Sequence, residues 1–492
     1  MTHPVWTSWL IAAACASAFG VEPPLPTGLP DAQENSEPAL PSGLPGGEGS
    51  GTPGEPELPG GLPGADEPGL PQGLGRTDEP SEEEEAILDH PKIDLRFGGF
   101  LEGRFGLRTQ SDPYERSISI GETRLQLEGD AFAEGWTAHA VVDILYDPVV
   151  DRHGPDLESG EGFLDLRELW YSSSLGDHVD FKLGRQVMTW GTGDLLFIND
   201  LFPKDWNSFF IGRDEEYLKA PSDGVRVNIY TDAVNIDLAY IPSFDADRFI
   251  DGRRLSFYNP NLGRLSGRDA VVLFDRPDRW FNDDEIHYRL HRQLGAYEVA
   301  AYGYHGFWKS PGGQTPTGRA TFPELNVYGA SVRGPVGKGI GNIEIGYYDS
   351  GDDPSGTNGL VENSQFRFLA GYEQEIATDL TLGVQYYIEH MIDHDGYLMS
   401  LPVGVPARDE SRHVLTARVT YQTDNQNMVY SLFAYVSPTD QDAYLRPSVT
   451  RKIDDHWTAS VGANIFFGDE QHTFFAQFEN NTNVYFSLRY NF

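Results

Sequence analysis

The chain has 492 residues, a formal net charge of −39 and one cysteine, and 39% of its residues are hydrophobic. Nucleic acid is not an expected partner, because phosphate binding needs clustered positive charge, and no stretch approaches the roughly 18 consecutive apolar residues of a membrane helix. Yet 28 Phe, 24 Tyr and 9 Trp accompany 54 Gly, and apolar residues stand singly between polar ones, as in a wall wet on one face and oily on the other.

The first predicted element is a signal peptide over residues 1–18. An apolar run from Val5 to Ala14 precedes Ala16-Ser17-Ala18, a small-x-small cleavage pattern. Cys15 falls inside it, so the exported chain keeps no thiol for a disulfide or a Cys-ligated metal. Residues 19–92 repeat EPPLPTGLP (22–30), EPALPSGLPGG (37–47), EPELPGGLPGAD (55–66) and EPGLPQGLG (67–75). Each unit has two leucines and no other sizeable apolar group, too little to offset the entropy of ordering. A disordered, acidic periplasmic tether is expected, with a reach between about 50 Å as a coil and about 220 Å extended. Its repeated leucines read either as docking sites for a periplasmic partner or as a duplicated spacer.

At Ile93 the pattern changes. In IDLRFGGFLEGRFGLR, Leu95, Phe97, Leu101, Phe105 and Leu107 alternate with Arg96, Glu102, Arg104 and Arg108, the period of a strand. The same period returns in TRLQLEG (123–129), NIDLAY (235–240), EIHYRLHR (285–292), NIEIGYY (342–348), TLGVQYYIE (381–389), VLTARVTYQ (414–422) and WTASVGANIFF (457–467). Strands are expected to start near residues 94, 115, 136, 162, 178, 222, 233, 284, 296, 323, 340, 364, 379, 411, 427, 442, 456 and 482. Short turns, at 133–135, 176–177, 231–232, 294–295, 378 and 425, alternate with longer segments, save a tight turn at Pro438 to Gln441. Residues 93–492 therefore read as an all-β fold, a transmembrane antiparallel up-and-down β-barrel of about 18 strands, 16 being the alternative count, in the outer membrane of a Gram-negative bacterium. The last strand, NVYFSLRYNF, puts Val484, Phe486, Leu488, Tyr490 and Phe492 on one face, and this pattern resembles the insertion signal of outer-membrane barrels, read by the barrel assembly machinery.

Alternation assigns the lumen face. Arg96, Arg104, Glu122, Arg124, Arg226, Arg289, Arg367, Arg418 and Arg489 are the candidate pore-lining residues, with Glu102, Glu298, Glu344, Glu389 and Arg446 on the same face. The mixed signs read as an ion-paired wall or as a charged path in which arginines select anions. The third long loop, residues 190–224, holds Trp190, Phe197, Phe202, Trp206, Phe209 and Phe210, too apolar for a segment in water. It is expected to fold into the barrel, as a constriction, as an apolar core capping the mouth or as a site for an apolar ligand. Arg185, beside Leu183, falls by alternation toward lipid, so a bulge or an interfacial position that turns it inward is expected. Between 244 and 283, Arg248, Arg253, Arg254, Arg264, Arg268, Arg276 and Arg279 lie among aspartates, to pair with them or to meet lipopolysaccharide phosphates or an anionic substrate.

Gly184-Arg185-Gln186, then Trp190-Gly191, then Phe202-Pro203-Lys204-Asp205 resembles the signature of a porin-like outer-membrane family associated with inner-membrane exporters of the resistance-nodulation-division type. It also loosely resembles alginate-export barrels. The resemblance implies passage or export of a molecule handed over in the periplasm by an exporter partner, without catalytic chemistry. No Gly-x-Ser-x-Gly elbow, Walker loop, HExxH or Cys/His cluster points to an enzyme, a metal or a cofactor. The expected function is a channel. The alternatives are a transporter for a hydrophobic substrate and a non-conducting structural barrel whose tether recruits partners.

Overall fold

The computed structural model describes residues 93–492; the expected signal peptide and repeat tether lie outside the described residues. Eighteen strands form one sheet: β1 (Asp94–Arg108), β2 (Ile118–Ala133), β3 (Trp136–Tyr146), β4 (Leu164–Leu175), β5 (Val179–Val187), β6 (Pro221–Ile229), β7 (Asn235–Ile241), β8 (Glu285–Leu294), β9 (Tyr297–Phe307), β10 (Glu324–Val336), β11 (Gly339–Ser350), β12 (Gln365–Ala377), β13 (Leu380–Met391), β14 (Ser411–Thr423), β15 (Met428–Ser437), β16 (Asp442–Lys452), β17 (Trp457–Gly468) and β18 (Asn483–Asn491). Every expected start falls within three residues of an observed one. Each strand pairs antiparallel with the next, and β1 also pairs with β18, from Phe100 opposite Asn491 to Arg108 opposite Asn483. The sheet therefore closes without an edge, and every strand finds its backbone partners inside the wall, as hydrocarbon requires. No helix among the described residues is long and apolar enough to cross a membrane.

Alternation sets the two faces. On β1, Leu101, Phe105 and Leu107 are exposed on the outer surface, while Glu102, Arg104 and Arg108 are buried inside. On β18, Val484, Phe486 and Leu488 point outward and Tyr485 and Ser487 inward. Tyr490 packs on Trp457 with ring centroids 5.0 Å apart and Phe492 follows at 6.5 Å. Together with the stacked pairs Trp136–Tyr171 and Tyr421–Tyr430 they form an aromatic girdle beside the short turns.

Eight short connections lie on one rim, at 134–135, 176–178, 230–234, 295–296, 337–338, 378–379, 424–427 and 453–456. On the other rim run the longer loops, of which 188–220, 242–284 and 469–482 fill the upper barrel. The connection at 438–441 is the tight exception on that side. By the usual topology the short-turn rim faces the periplasm. The third loop is shorter than the sequence suggests, because β6 already begins at Pro221.

Arg185 corrects another expectation. The register on both sides of β5 is continuous, without the expected bulge, and puts Arg185 opposite Leu169 and Asp223. Pairing opposite Leu169, which is exposed outside, places it on the outer face. Its charge is met instead by a two-pronged bond to Asp223, at 2.9 and 2.6 Å, and by the Leu157 carbonyl at 3.0 Å. The loop that follows β3 thus covers it at the long-loop rim.

Candidate functional site

The lumen is organised by loop 188–220. Its middle forms α1 (Trp206–Ile211), opened by the Asp205 carboxylate, which accepts the Ser208 N–H at 2.7 Å. Gly212 closes the helix in the left-handed region at φ 89°. A Cβ there would stand 2.3 Å from the Tyr485 ring, so only glycine lets α1 lie this close to the wall.

The apolar content of the loop explains its inward fold. Ile198, Phe209, Phe210, Ile211 and Leu218 are buried in one cluster with inward-facing wall residues, among them Tyr348, Phe433, Tyr444 and Phe466, and with Phe478 of the last long loop. Phe210 meets Phe466, Tyr444 and Phe478 with centroids 5.1 to 5.3 Å away. Trp190 and Phe202 join a second cluster with Ala239, Ile241 and Tyr302, where Phe202 stacks on His287 at 4.3 Å. Phe197 packs edge-on to Trp206. The six aromatics expected at a constriction are thus core residues of an inward-folded loop. They are buried or half-buried rather than presented to a passing ligand.

Polar anchors tie the loop to the wall. Glu344 of β11 accepts the N–H groups of Thr192 and Asn199, each at 2.8 Å, the Thr192 hydroxyl at 3.0 Å and the Asn199 amide at 2.9 Å. Gln385 of β13 accepts the Asp194 N–H at 2.8 Å, and Tyr435 donates to the Leu195 carbonyl at 2.6 Å. On the far side, Tyr217 lies under the Arg124 guanidinium at 4.2 Å, and Arg167 donates to the Glu216 and Lys219 carbonyls at 3.1 Å. The motif residues Gly191, Pro203 and Asp205 belong to the same loop, and Gly184, Arg185 and Gln186 to the strand that feeds it.

Eight of the nine expected pore-lining residues fall into three groups, and Arg96 stands apart. Arg104, Arg418 and Arg489 pair with acidic residues of the loop, as does Arg446: Arg104 with Asp214 at 2.8 Å, Arg489 with Asp214 at 2.5 Å, Arg418 with Asp194 at 2.6 Å, and Arg418 and Arg446 with Glu215 at 3.2 and 3.3 Å. Glu122 and Arg124 are sealed from water. Arg124 pairs with Glu122 and Asp143, and Arg213 of the loop covers Glu122 at 2.5 Å. Arg289 pairs with Glu298 and Arg367 with Glu389 within the wall, while Arg226 stands half-buried opposite Lys182. Arg96 lies elsewhere: its side chain is 68% exposed, bonded to Asp94 at 3.1 Å near the short-turn rim. A rim side chain meets bulk water whichever face it takes, so alternation does not place Arg96 in the lumen. The acidic run Asp214-Glu215-Glu216 was the missed signal, directly behind the aromatic segment.

The loop 242–284 packs onto loop 188–220 from above. The Arg248 backbone N–H donates to the Lys204 carbonyl at 2.8 Å, and its guanidinium binds Asp165 at 2.9 Å and Asp205 at 3.4 Å. All seven arginines singled out in this loop pair with a carboxylate, the others being Arg253–Asp251, Arg254–Asp147, Arg264–Asp269, Arg268–Glu115, Arg276–Glu158 and Arg279–Asp283. One group among the described residues brings metal-type donors together: Glu128, Asp130 and His139 lie within 4.8 Å of one another, with Asp130 2.8 Å from His139 Nδ1.

Asp245, at the root of this loop, is pushed up to about 7 by burial first and by the nearby Glu285 and Glu158 carboxylates, against Lys309 and a bond from the Asp223 N–H. The folded loop root holds a proton that a released loop gives up above its ordinary value of about 4. Its grip therefore weakens as pH rises from about 4 to 7 and is flat beyond. Amide protection factors in 242–284 are expected to fall between about pH 5.5 and pH 8, with Asp245→Asn removing the difference. An unchanged pH response in that variant would place the titration elsewhere.

An edgeless 18-stranded barrel with an apolar outer belt, an aromatic girdle and a loop folded into its lumen has the architecture of an outer-membrane β-barrel. Among solved structures it is similar to OccK3 (OpdO) of Pseudomonas aeruginosa, with a TM-score of 0.48 and 10% identity over 81% of this chain and 96% of that one. It is also similar to OccAB3 of Acinetobacter baumannii, with a TM-score of 0.47 and 12% identity over 81% and 99%. OmpF of Salmonella typhi, in complex with daunomycin, matches with a TM-score of 0.38 and 9% identity over 82% and 98%. The likeness is one of fold. No protein-family model and no curated protein matches the chain.

Proposed function

We propose that this barrel is a channel across the outer membrane whose conductance is set by loop 188–220, and that it passes a substrate delivered at its short-turn mouth by a periplasmic or inner-membrane exporter. One observation supports the channel most. The loop is anchored to β11 through Glu344 and to β2 through Glu122 and Arg124, strands that stand half the ring apart, so it crosses the lumen. Yet the side chains of Asp194, Asp214 and Glu215 are 38 to 42% exposed, so open space adjoins the loop. A crossing loop that leaves room beside it narrows a path without filling it. The apolar residues that could hold a hydrophobic substrate, Phe209, Phe210 and Ile211, are sealed in the core, which favours a polar cargo. The delivery step rests on the resemblance of the segment from Gly184 to Asp205.

The purified barrel, inserted into planar lipid bilayers, is expected to give discrete current steps. A preparation that is folded by its heat-modifiable gel mobility, but passes no current above the lipid background, would make it a structural barrel instead.

A further inference from the structure

We infer that Glu128, Asp130 and His139 form a binding site for a divalent ion of the zinc class at the short-turn mouth of the lumen. The site requires the folded wall alone and does not depend on conduction. Glu128 and Asp130 are two residues apart on β2 and so share its lumen face, and the β2–β3 register sets His139 directly opposite Asp130. Asp130 is three residues from the end of β2 and His139 three from the start of β3, which puts the group just inside the short turn at 134–135. One donor atom from each residue lies within 4.8 Å of the other two, and Asp130 Oδ1 is 2.8 Å from His139 Nδ1. Ligands held about 2.1 Å from one ion stand roughly 3 Å from each other. The Asp130–His139 pair already has that spacing, and Glu128 reaches it by a change of rotamer.

The same two strands show what this group lacks. Further from the short turn, Glu122 of β2 and Asp143 of β3 also bring two carboxylates together, and Arg124 stands between them as the cation. Among the described residues no arginine or lysine pairs with Glu128 or Asp130. Arg96 is opposite Asp130 on β1, but its guanidinium turns to Asp94 at 3.1 Å and lies over the Phe132 ring at 4.9 Å. Glu128 is exposed and makes no hydrogen bond among the described residues. Two carboxylates on one face without a cation repel, and a dication restores the balance. An imidazole with two carboxylates is a mixed nitrogen and oxygen donor set, which suits zinc and its first-row neighbours better than the harder magnesium or calcium. The imidazole is also held in place: it lies 5.0 Å from the Trp170 ring, whose Nε1 donates to Glu168 at 2.8 Å. Across from Glu128 stands Gly98, where an added Cβ would meet nothing nearer than the Phe492 carbonyl at 3.6 Å. The wall thus leaves space for the water molecules that complete the ion's coordination. Binding exchanges the Asp130–His139 hydrogen bond for two metal bonds and releases the proton that the bond carries.

The test uses the full-length, detergent-solubilised protein, with heat-modifiable mobility confirming a folded barrel in every variant. Titration calorimetry with zinc chloride should show one strong site per chain above the weak background of an acidic chain. His139→Ala and Asp130→Asn should each weaken that site by at least about tenfold. His291→Ala removes another imidazole beside a wall carboxylate, Asp237 at 3.4 Å, and should leave zinc binding unchanged. Glu128→Gln alters an exposed side chain without a partner in the wall, so it decides the matter even if the other two ligand variants fail to fold. A loss of about tenfold there supports the site, and an unchanged affinity overturns it. Calcium in about tenfold excess should leave zinc in place, whereas displacement would reduce the group to a plain acidic cluster and overturn the zinc-class assignment. Absence of a strong zinc site in the wild type, or its persistence in His139→Ala, overturns the inference outright, whether or not the barrel conducts.

Discussion

Excising residues 195–211 and bridging the gap with a short Gly-Ser linker is expected to raise single-channel conductance several-fold. The segment contains α1 and the aromatics Phe197, Phe202, Trp206, Phe209 and Phe210, the part of the loop that spans from the β11 anchors toward the β1 and β2 wall. Removing it deletes the crossing and detaches the acidic run from the apolar core that fixes its height in the lumen. No strand pairing involves these residues, so the ladder that assembles the barrel is untouched. Stability should nonetheless fall, because Tyr348, Phe433, Tyr444 and Phe466, all buried against the loop, become wet. Exposing each large side chain costs about 1.5 to 3 kcal/mol. The expected outcome is a folded barrel of lower thermal stability with larger and less interrupted current steps. Unchanged conductance in a folded deletion would show that loop 188–220 does not set the constriction.

The strands were legible because a barrel wall imposes a two-residue period with opposite chemistry on its two faces, and that period survives in every strand regardless of its neighbours. The loop was legible as inward-folding for a related reason: Phe209, Phe210 and Ile211 have no stable place in water. What alternation does not encode is depth along the barrel axis or what lies on top of a wall residue. Arg96 and Arg104 share a strand and a parity, yet one is at an open rim and the other lies beneath Gly212 and Asp214. Arg124 reads as water-facing from its strand alone and is sealed by Tyr217, 93 residues later. Arg185 shows the converse: the cost of an outward arginine is real, but it is met by Asp223 and a covering loop rather than by a change in its own strand. Long-range partners of this kind are set by loop conformation, for which the sequence offers composition but no period.

Replacing Arg124 with Met should be the most damaging single substitution in the wall, lowering stability by about 3 to 5 kcal/mol. Arg124 is fully buried and is the cation between two buried carboxylates, Glu122 and Asp143. Without it, Glu122 keeps Arg213 at 2.5 Å, but Asp143 is left with the neutral Gln126 amide at 2.9 Å. A carboxylate enclosed without a cation bears its desolvation cost unrelieved. Tyr217 simultaneously loses the guanidinium 4.2 Å above its ring, so the far anchor of the loop loosens and channel noise should rise with the loss of stability. The comparison that isolates burial is Arg289→Met. That arginine is also paired, to Glu298 at 2.5 Å, which is 40% exposed, and its buried second partner Asp237, 3.6 Å away, keeps the Asn228 amide at 2.7 Å and His291 at 3.4 Å, so the loss should be smaller, about 1 kcal/mol. Adding Asp143→Asn to Arg124→Met removes the orphaned charge and should recover part of the stability, whereas the same Asp143→Asn in the wild type should destabilise. Thermal transitions of the four detergent-solubilised variants measure this directly. If Arg124→Met and Arg289→Met unfold together, the Glu122–Arg124–Asp143 cluster is solvated, and the lumen wall beneath the loop is wetter than its packing indicates.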